Sequence, residues 1–349
     1  MNKLDITNEM LYEALVKKDP QCEGQFYIGV KTTGIFCRST CRARKPKKEN
    51  VEFFANAKDA LSSGYRPCKI CRPLENAGEI PSYISSLLRD LEADPAVKIS
   101  DHMLVRKGIE PDRIRRWFLK NHNMTFHAYQ RLFRINNALK SIKNGDTVTD
   151  TAFNSGYESL SGFQYTFKKA TAKNPKESRS IDTMVFSRIT TPLGPMMAVA
   201  NEEGICFLEF TDRKMLETEL KQVMHYFKSN IFPGTNKHIE KVTAQLKEYF
   251  DGTRKKFDVP LVTPGTQFQK ETWKILQEIP YGETRSYKDQ AVALGNPLAV
   301  RAVAKANGSN RIAIIIPCHR VIGKNGQLVG YGGGLWRKRW LLKHEKYNN

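Results

Sequence analysis

Four cysteines within one short stretch limit what the first part of this chain can become. Cys37 and Cys41 are separated by three residues, Cys68 and Cys71 by two, and 26 residues lie between the pairs. Two close pairs of this kind can close a tetrahedral four-thiolate site. The spacing predicts one Zn2+ held by Cys37, Cys41, Cys68 and Cys71, with a small α/β domain over residues 1–78 built around it. Cys22, Cys206 and Cys318 bring the total to seven. An odd count argues against a disulfide framework and for metal or thiol chemistry. Most four-cysteine sites only staple their domain. Here six cations, Arg38, Arg42, Arg44, Lys45, Lys47 and Lys48, crowd the first pair. A staple has no use for them, but a zinc-bound, ionised sulfur that must approach a phosphate does.

The basic excess is not confined to that stretch. Lys and Arg total 56 against 36 Asp and Glu, a net of +20, shared as +4, +7 and +9 over residues 1–80, 81–180 and 181–349. Every third of the chain can face a polyanion, and double-stranded DNA is the expected partner. A chain of 349 residues with 40% hydrophobic and 26% charged residues predicts two or three globular domains. The longest aliphatic run, residues 312–316, is too short to cross a bilayer, and residues 1–10 lack the apolar stretch of a signal peptide. No membrane contact is expected, and the expected setting is a monomer in the cytoplasm.

Periodicity divides the chain further. Residues 8–18 predict a helix and residues 24–30 and 32–36 two strands. Asn56 reads as a helix cap, Gly64 as its stop, and residues 73–81 as a linker. Residues 82–180 read as all-helical. Ile84, Leu87, Leu88 and Leu91 share one face behind a Ser82 cap, and a long helix spans 125–143. Two helix–turn–helix units flank that helix, with turns at Gly108 and Gly156. Ala152 lets the second pair approach closely, where the first has Leu104. Trp117, Phe118, Phe163 and Phe167 read as core. Residues 181–263 predict a small α/β sheet subdomain with strands at 185–189, 196–200 and 205–210, and Cys206 inside it. Residues 264–349 predict a winged-helix-like subdomain with helices at 287–294 and 298–306. His102, His122, His127, His225 and His238 lack ligand spacing and read as surface or hydrogen-bonded histidines.

The stretch Ile316-Pro317-Cys318-His319-Arg320-Val321 carries a second candidate nucleophile. A free thiol has a pKa of roughly 8.5 and needs help at neutral pH. His319 can deprotonate Cys318 directly or through water, and Glu345 is the candidate to orient the imidazole. On adjacency alone, a buried structural cysteine is the better reading of Cys318.

Three resemblances sharpen these readings. TTGIFCRSTCRAR with YRPCKICRP resembles the N-terminal domain of the Ada family of bacterial methylation-damage response proteins. That resemblance implies that Cys37 accepts a methyl group from a DNA methylphosphotriester and that Arg44 contacts phosphate. AFNSGYESLSGFQYTFKKATAKNPKE resembles AraC-type DNA-binding domains. The recognition helices then point to Arg113, Arg115 and Arg116 in the first unit, and to Ser159, Ser161 and Gln164 in the second, as exposed DNA contacts. Tyr281-Gly282, Tyr287, Arg301, Asn310, PCHRV, Gly330-Tyr331 and His344-Glu345 together resemble the O6-alkylguanine-DNA alkyltransferases. By that resemblance Cys318 accepts the alkyl group, His319 relays its proton through water, and Glu345 orients His319. Asn310 orders the active-site strand and Tyr287 protonates the departing guanine. Arg301 fills the gap left by the flipped nucleotide, and Tyr331 lines the base pocket. Gly332-Gly333-Gly334 departs from relatives, which often carry a Ser or a larger residue there. The whole implies a single-turnover methyltransferase acting on O6-methylguanine, O4-methylthymine and methylphosphotriesters. Methylation of Cys37 would then switch the chain to transcriptional activation through RNA polymerase. Two other classes stay open: a zinc-dependent AraC-type transcription factor with an inactive alkyltransferase-like domain, and a cysteine hydrolase using Cys318, His319 and Glu345.

Overall fold

The computed structural model describes residues 8–18, 22, 26–71, 73, 80–122, 124–180 and 182–349. The chain begins with α1 (Asn8–Lys17), then β1 (Tyr27–Val30), β2 (Ile35–Arg38), β3 (Val51–Phe54), α2 (Ala57–Ser62) and β4 (Arg66–Pro67). The four strands form one sheet in the order β3-β1-β2-β4. β1 is antiparallel to β2 and β3, and β4 runs parallel to β2. The second expected strand is displaced. Residues 31–34 form the turn, so β2 starts at Ile35 and carries Cys37. Gly24, in the first expected strand, and most of the expected linker lie outside the described residues. α2 is capped as expected, with the Asn56 side chain accepting from the Asp59 amide.

The helical part comprises α3 (Ser82–Ala93), α4 (Asp101–Arg106), α5 (Pro111–His122), α6 (Phe126–Lys143), α7 (Val148–Asn154) and α8 (Leu160–Thr171). Ser82 is not the cap of α3. Pro81 holds that position without a side-chain bond, and Ser82 is the first helical residue. Ile84, Leu87 and Leu91 close a core with Leu104, Ile114, Phe118 and Phe126. A second core gathers Ile135, Leu139, Ala152, Phe163 and Phe167. α6, capped by Thr125, serves both. At Gly156 φ is +74°, and a Cβ there would lie 2.6 Å from the Ala96 carbonyl oxygen. Only glycine fits both demands.

β5 (Met184–Ile189), β6 (Met196–Ala200), β7 (Ile205–Phe210), α9 (Leu216–Phe227), β8 (Ile231–Pro233) and α10 (Lys237–Phe250) build the next layer. Its sheet runs β7-β6-β5-β8, with β5-β6-β7 antiparallel and β8 parallel to β5. β6 and β7 are buried throughout, Cys206 included. They read as continuous apolar runs because both faces are covered. α11 (Gln267–Gln277), β9 (Arg285–Ser286), α12 (Tyr287–Ala293), α13 (Val300–Gly308), β10 (Val321–Ile322) and α14 (Leu335–Tyr347) complete the chain. β9 and β10 pair in parallel. The sheet and the last helices share one core, with Ile205, Leu208, Trp273, Leu276, Ile316 and Leu341 among its members.

The sheet also docks on the helical part. Phe232 of β8 is buried among Ile135, Phe163 and Phe167. Asn136 donates to the Pro233 carbonyl (3.2 Å), Lys140 to Thr235 (3.3 Å) and Asn230 to Ala170 (2.6 Å). His122 lies at the same seam, its ring 5.6 Å from that of Phe186. This corrects the reading of His122 as exposed or bonded. It is buried, and neither ring nitrogen has a partner among the described residues. Burial first, then the Arg188 cation, holds its pKa down to about 3.

Candidate functional sites

β2 presents Cys37, and the amide of Cys68 donates to the Phe36 carbonyl (3.0 Å), so the parallel β2–β4 contact carries the second cysteine pair to the first. The sulfurs of Cys37, Cys41, Cys68 and Cys71 all lie within 4.8 Å of one another, and those of Cys41 and Cys68 are 4.0 Å apart. Four sulfurs at the zinc–thiolate distance form a tetrahedron with edges of about 3.8 Å, so this donor set fits one Zn2+. The Arg38 amide donates to Cys71 Sγ (3.4 Å), an interaction that favours the thiolate. Cys37 lines an open cavity of about 270 Å³ together with Thr33, Ile35, Arg44 and Lys45. Of the six nearby cations, Lys48 pairs with Glu9 and Lys47 with Glu49, and Arg38 Nε donates to the Cys71 carbonyl. Arg42, Arg44 and Lys45 are exposed and have no acidic partner among the described residues.

The helical candidates separate on inspection. Arg115 and Arg116 are exposed on α5, with Arg115 Nη1 2.6 Å from Asp112 and Arg116 Nε on the Asp112 carbonyl. Arg113 is not exposed as expected. It is half-buried, with its guanidinium 4.1 Å over the Tyr83 ring. Ser159, Ser161 and Gln164 are exposed at the start of α8, and the Ser159 hydroxyl already accepts from the Gly162 amide as the helix cap. Trp117 is half-buried, while Phe118, Phe163 and Phe167 are core.

The second sulfur sits where the backbone is most tightly folded. Ile314 has φ +71°, and the Ile315 amide donates to Ala313 (2.9 Å), a three-residue turn in a conformation that β-branched residues rarely adopt. The Cys318 amide then donates to Ile316 (2.8 Å), a second such turn of the ordinary hand. Asn310 pins both. Its Nδ2 donates to the Ile316 carbonyl (2.8 Å) and lies 3.2 Å from Cys318 Sγ, while its Oδ1 accepts from the Ile312 amide (3.0 Å). Burial raises the Cys318 thiol pKa; Asn310 opposes this, Glu209 adds to it, and Lys338 and Arg213 oppose it. The resting sulfur is a thiol.

His319 is fully buried, and its Nε2 is 2.8 Å from Glu345 Oε1. Burial lowers the His319 pKa despite Glu345. Glu345 would be raised by burial, but His319 and Arg320 outweigh this and hold it well below the usual carboxylate range. The bonds explain why. Arg320 Nε and Nη2 grip Glu345 at 2.8 and 3.0 Å, the Tyr249 hydroxyl donates at 2.8 Å, and the Gly282 amide donates at 3.3 Å. His319 Nδ1 is buried without a partner among the described residues and makes no hydrogen bond to Cys318. Tyr287 and Tyr331 close the site. The Tyr287 hydroxyl donates to the Val329 carbonyl (3.3 Å), and the Tyr331 hydroxyl is buried with no partner among the described residues. Burial and then Cys318 raise both phenols above their ordinary pKa, so both stay protonated. Arg301 lies apart, exposed on α13, which follows α12 across a turn at Gly295.

Sequence reasoning missed Arg320, Tyr249 and Lys338 as supports. Lys338 is buried, and its ammonium donates to the carbonyls of Val321 (2.6 Å), Val329 (2.7 Å) and Gly330 (3.2 Å), fixing the loop that carries Tyr331. Position 320 is the one of the three with a local signal, because it follows His319, two residues from the nucleophile. A sheltered thiol, served by a neutral imidazole and set behind an exposed helix pair, defines a class: proteins that take an alkyl group from DNA onto their own cysteine.

Comparison with known proteins supports that class. Residues 267–347 match the family described as "6-O-methylguanine DNA methyltransferase, DNA binding domain", and residues 184–263 its "ribonuclease-like domain". Residues 10–74 match "Metal binding domain of Ada" and residues 105–181 "Helix-turn-helix domain". The chain is 35% identical over 365 aligned positions to the "Bifunctional transcriptional activator/DNA repair enzyme Ada" of Escherichia coli, covering 98% of each. It is 45% identical over 166 positions to a methylated-DNA–protein-cysteine methyltransferase of Methanosarcina barkeri, covering 47% of this chain and 99% of that protein. Among solved structures, the O6-methylguanine methyltransferase of Mycobacterium tuberculosis aligns over 48% of this chain and 94% of its own at 41% identity, with a TM-score of 0.41. The chain belongs to the Ada family of bifunctional transcriptional activators and DNA repair enzymes.

Proposed function

We propose that this protein repairs methylated DNA by two single-turnover transfers, to Cys318 from O6-methylguanine and O4-methylthymine and to Cys37 from methylphosphotriesters. Methylation of Cys37 turns it into a sequence-specific transcriptional activator. Residues 1–78, 82–180, 181–263 and 264–349 act as the phosphotriester domain, the promoter-binding domain and the two halves of the repair domain. The carrying observation is the Cys318 site, where Asn310 holds the half-buried sulfur and the adjacent His319 is bonded to Glu345.

The step at Cys318 follows from its neutral resting state. The Cys318 proton leaves toward His319 Nδ1 through one bridging water, and Glu345 stabilises the imidazolium that forms. The sulfur then attacks the methyl carbon. The S–C bond forms, the carbon–O6 bond breaks, and the guanine takes a proton from Tyr287, which His319 replaces. Arg301 occupies the stack while the nucleotide is out. At the other site, Zn2+ when bound keeps its ligand sulfurs ionised. Arg44, with Arg42 and Lys45, draws the phosphotriester to the cavity lined by Cys37. The departing phosphodiester needs no proton. A methylated Cys37 is a thioether, so the site loses one negative charge and repels DNA less. Arg115, Arg116, Ser159, Ser161 and Gln164 then read promoter DNA, and Arg113 orders α5 against α3. RNA polymerase contact, a monomeric state and a cytoplasmic, nucleoid-associated setting belong to the same reading.

Intact mass after incubation with DNA carrying both lesions tests it. Two methyl additions, mapped to the Cys37 and Cys318 peptides, are expected. No addition at Cys318 would favour an AraC-type factor with an inactive repair domain, and repeated turnover would favour a hydrolase. Cys318→Ala removes one addition and leaves the other. Methylated protein should bind promoter DNA more tightly than unmethylated, and equal affinity at every salt concentration overturns the switch.

A further inference from the structure

Gly332 lies in the loop between Tyr331 and α14, in a run of three glycines. The space a side chain would take there is filled. A Cβ on Gly332 would lie 2.0 Å from Arg213 Nη1 and 2.6 Å from its Cζ. Arg213 belongs to the other half of the repair domain, in the connection between β7 and α9. Its side chain is 8% exposed. Nη1 is 3.0 Å from Glu209 on β7, and Nη2 is 2.7 Å from Glu219 on α9. Nη2 also donates to the Gly308 carbonyl at the end of α13 (3.1 Å). Beside it, Phe210 packs so close to Gly333 that a Cβ there would meet that ring at 2.9 Å and the Tyr331 ring at 2.9 Å.

Burying a guanidinium between two carboxylates is costly, and an apolar residue would fill the same gap more cheaply. The triad is also electrostatically joined to the site: Arg213 and Glu209 both act on Cys318 and on Tyr331. A filler needs neither property.

We propose that Arg213 is a specificity-determining residue of the Cys318 pocket: its guanidinium, clamped by Glu209 and Glu219 over Gly332, forms the wall that limits the size of the alkyl group on guanine O6. The inference rests on Cys318 being the acceptor. Residue 332 is glycine because the wall comes from position 213, and the pocket's alkyl range is set by a residue outside the loop. Gly332→Ser should therefore displace Arg213, while Arg213→Ala should enlarge the pocket.

The test is the rate of Cys318 alkylation in the full-length protein, read by peptide mass, on duplexes carrying O6-methylguanine or O6-benzylguanine. Arg213→Ala should raise the benzyl-to-methyl rate ratio about tenfold or more. Gly332→Ser should slow both substrates, and Arg213→Ala/Gly332→Ser should recover the methyl rate. If Arg213→Ala folds poorly because two carboxylates lose their cation, Arg213→Ala/Glu209→Gln/Glu219→Gln gives the same readout. An unchanged ratio in a folded variant, or a Gly332→Ser defect that Arg213→Ala fails to relieve, overturns the proposal. Failure of the unaltered protein to alkylate Cys318 from O6-methylguanine would instead overturn the underlying repair reading.

Discussion

Glu345 shows how one carboxylate can be held ionised in a buried site. Arg320, His319, Tyr249 and Gly282 together use both of its oxygens. Removing one partner of a buried ion pair strands the other, at a cost of about 3–5 kcal/mol. Arg320→Ala should lower the denaturation midpoint accordingly and slow methyl transfer at Cys318, both measurable on the same preparation. His122 behaves oppositely, because nothing compensates its charge. The unfolded chain takes up a proton on this residue near pH 6.5, while the folded chain keeps the ring neutral down to about 3. Its contribution to stability is therefore complete above pH 6.5 and is lost as pH falls through that window, on the order of 5 kcal/mol in all. His122→Phe should flatten the acid limb of a stability-versus-pH curve, and an unchanged limb would count against it.

At the scale of elements, the segment from Asn310 to Arg320 is positioned more by turns and side-chain bonds than by regular structure. Lys338 does the same for the loop at 329–331 by filling three carbonyls. Lys338→Met keeps the bulk and loses the bonds. Hydrogen exchange at residues 329–334 should accelerate and Cys318 methylation should slow, with α14 still protected. The long helices were legible in the sequence because their apolar spacing repeats over several turns: α6 falls within a residue of expectation at each end, and α3 buries Ile84, Leu87 and Leu91 of the expected face. β3, β4 and β8 were not, because two to four residues carry no usable period. The Ser82 cap failed for a related reason. A hydroxyl in the right place competes with a proline one residue earlier that fixes the chain direction without bonding.

Across the whole molecule, the two sulfur sites were legible for different reasons. Cys37, Cys41, Cys68 and Cys71 announce themselves by spacing, whereas adjacency to His319 alone reads Cys318 as a structural cysteine and only the wider family pattern singles it out. The Glu209–Arg213–Glu219 triad and the His122 seam have no such signature, since folding alone assembles them from separate elements. The same holds for the docking of β8 on the helical part. Phe232→Ala removes a ring buried in the second helix–turn–helix core and should cost about 3–5 kcal/mol. Calorimetry of the full chain should show the helical part melting earlier, separated from the repair domain; coincident, unshifted transitions would mean that the seam contributes nothing. Phe232 also bears on ancestry. A gene fragment encoding residues 181–349 alone would leave this aromatic ring facing solvent and the helical partner with a hole in its interior. Recombination at that boundary is penalised from both sides in this chain, although a repair domain stands alone in the Methanosarcina barkeri relative, which 47% of this chain matches over 99% of its length.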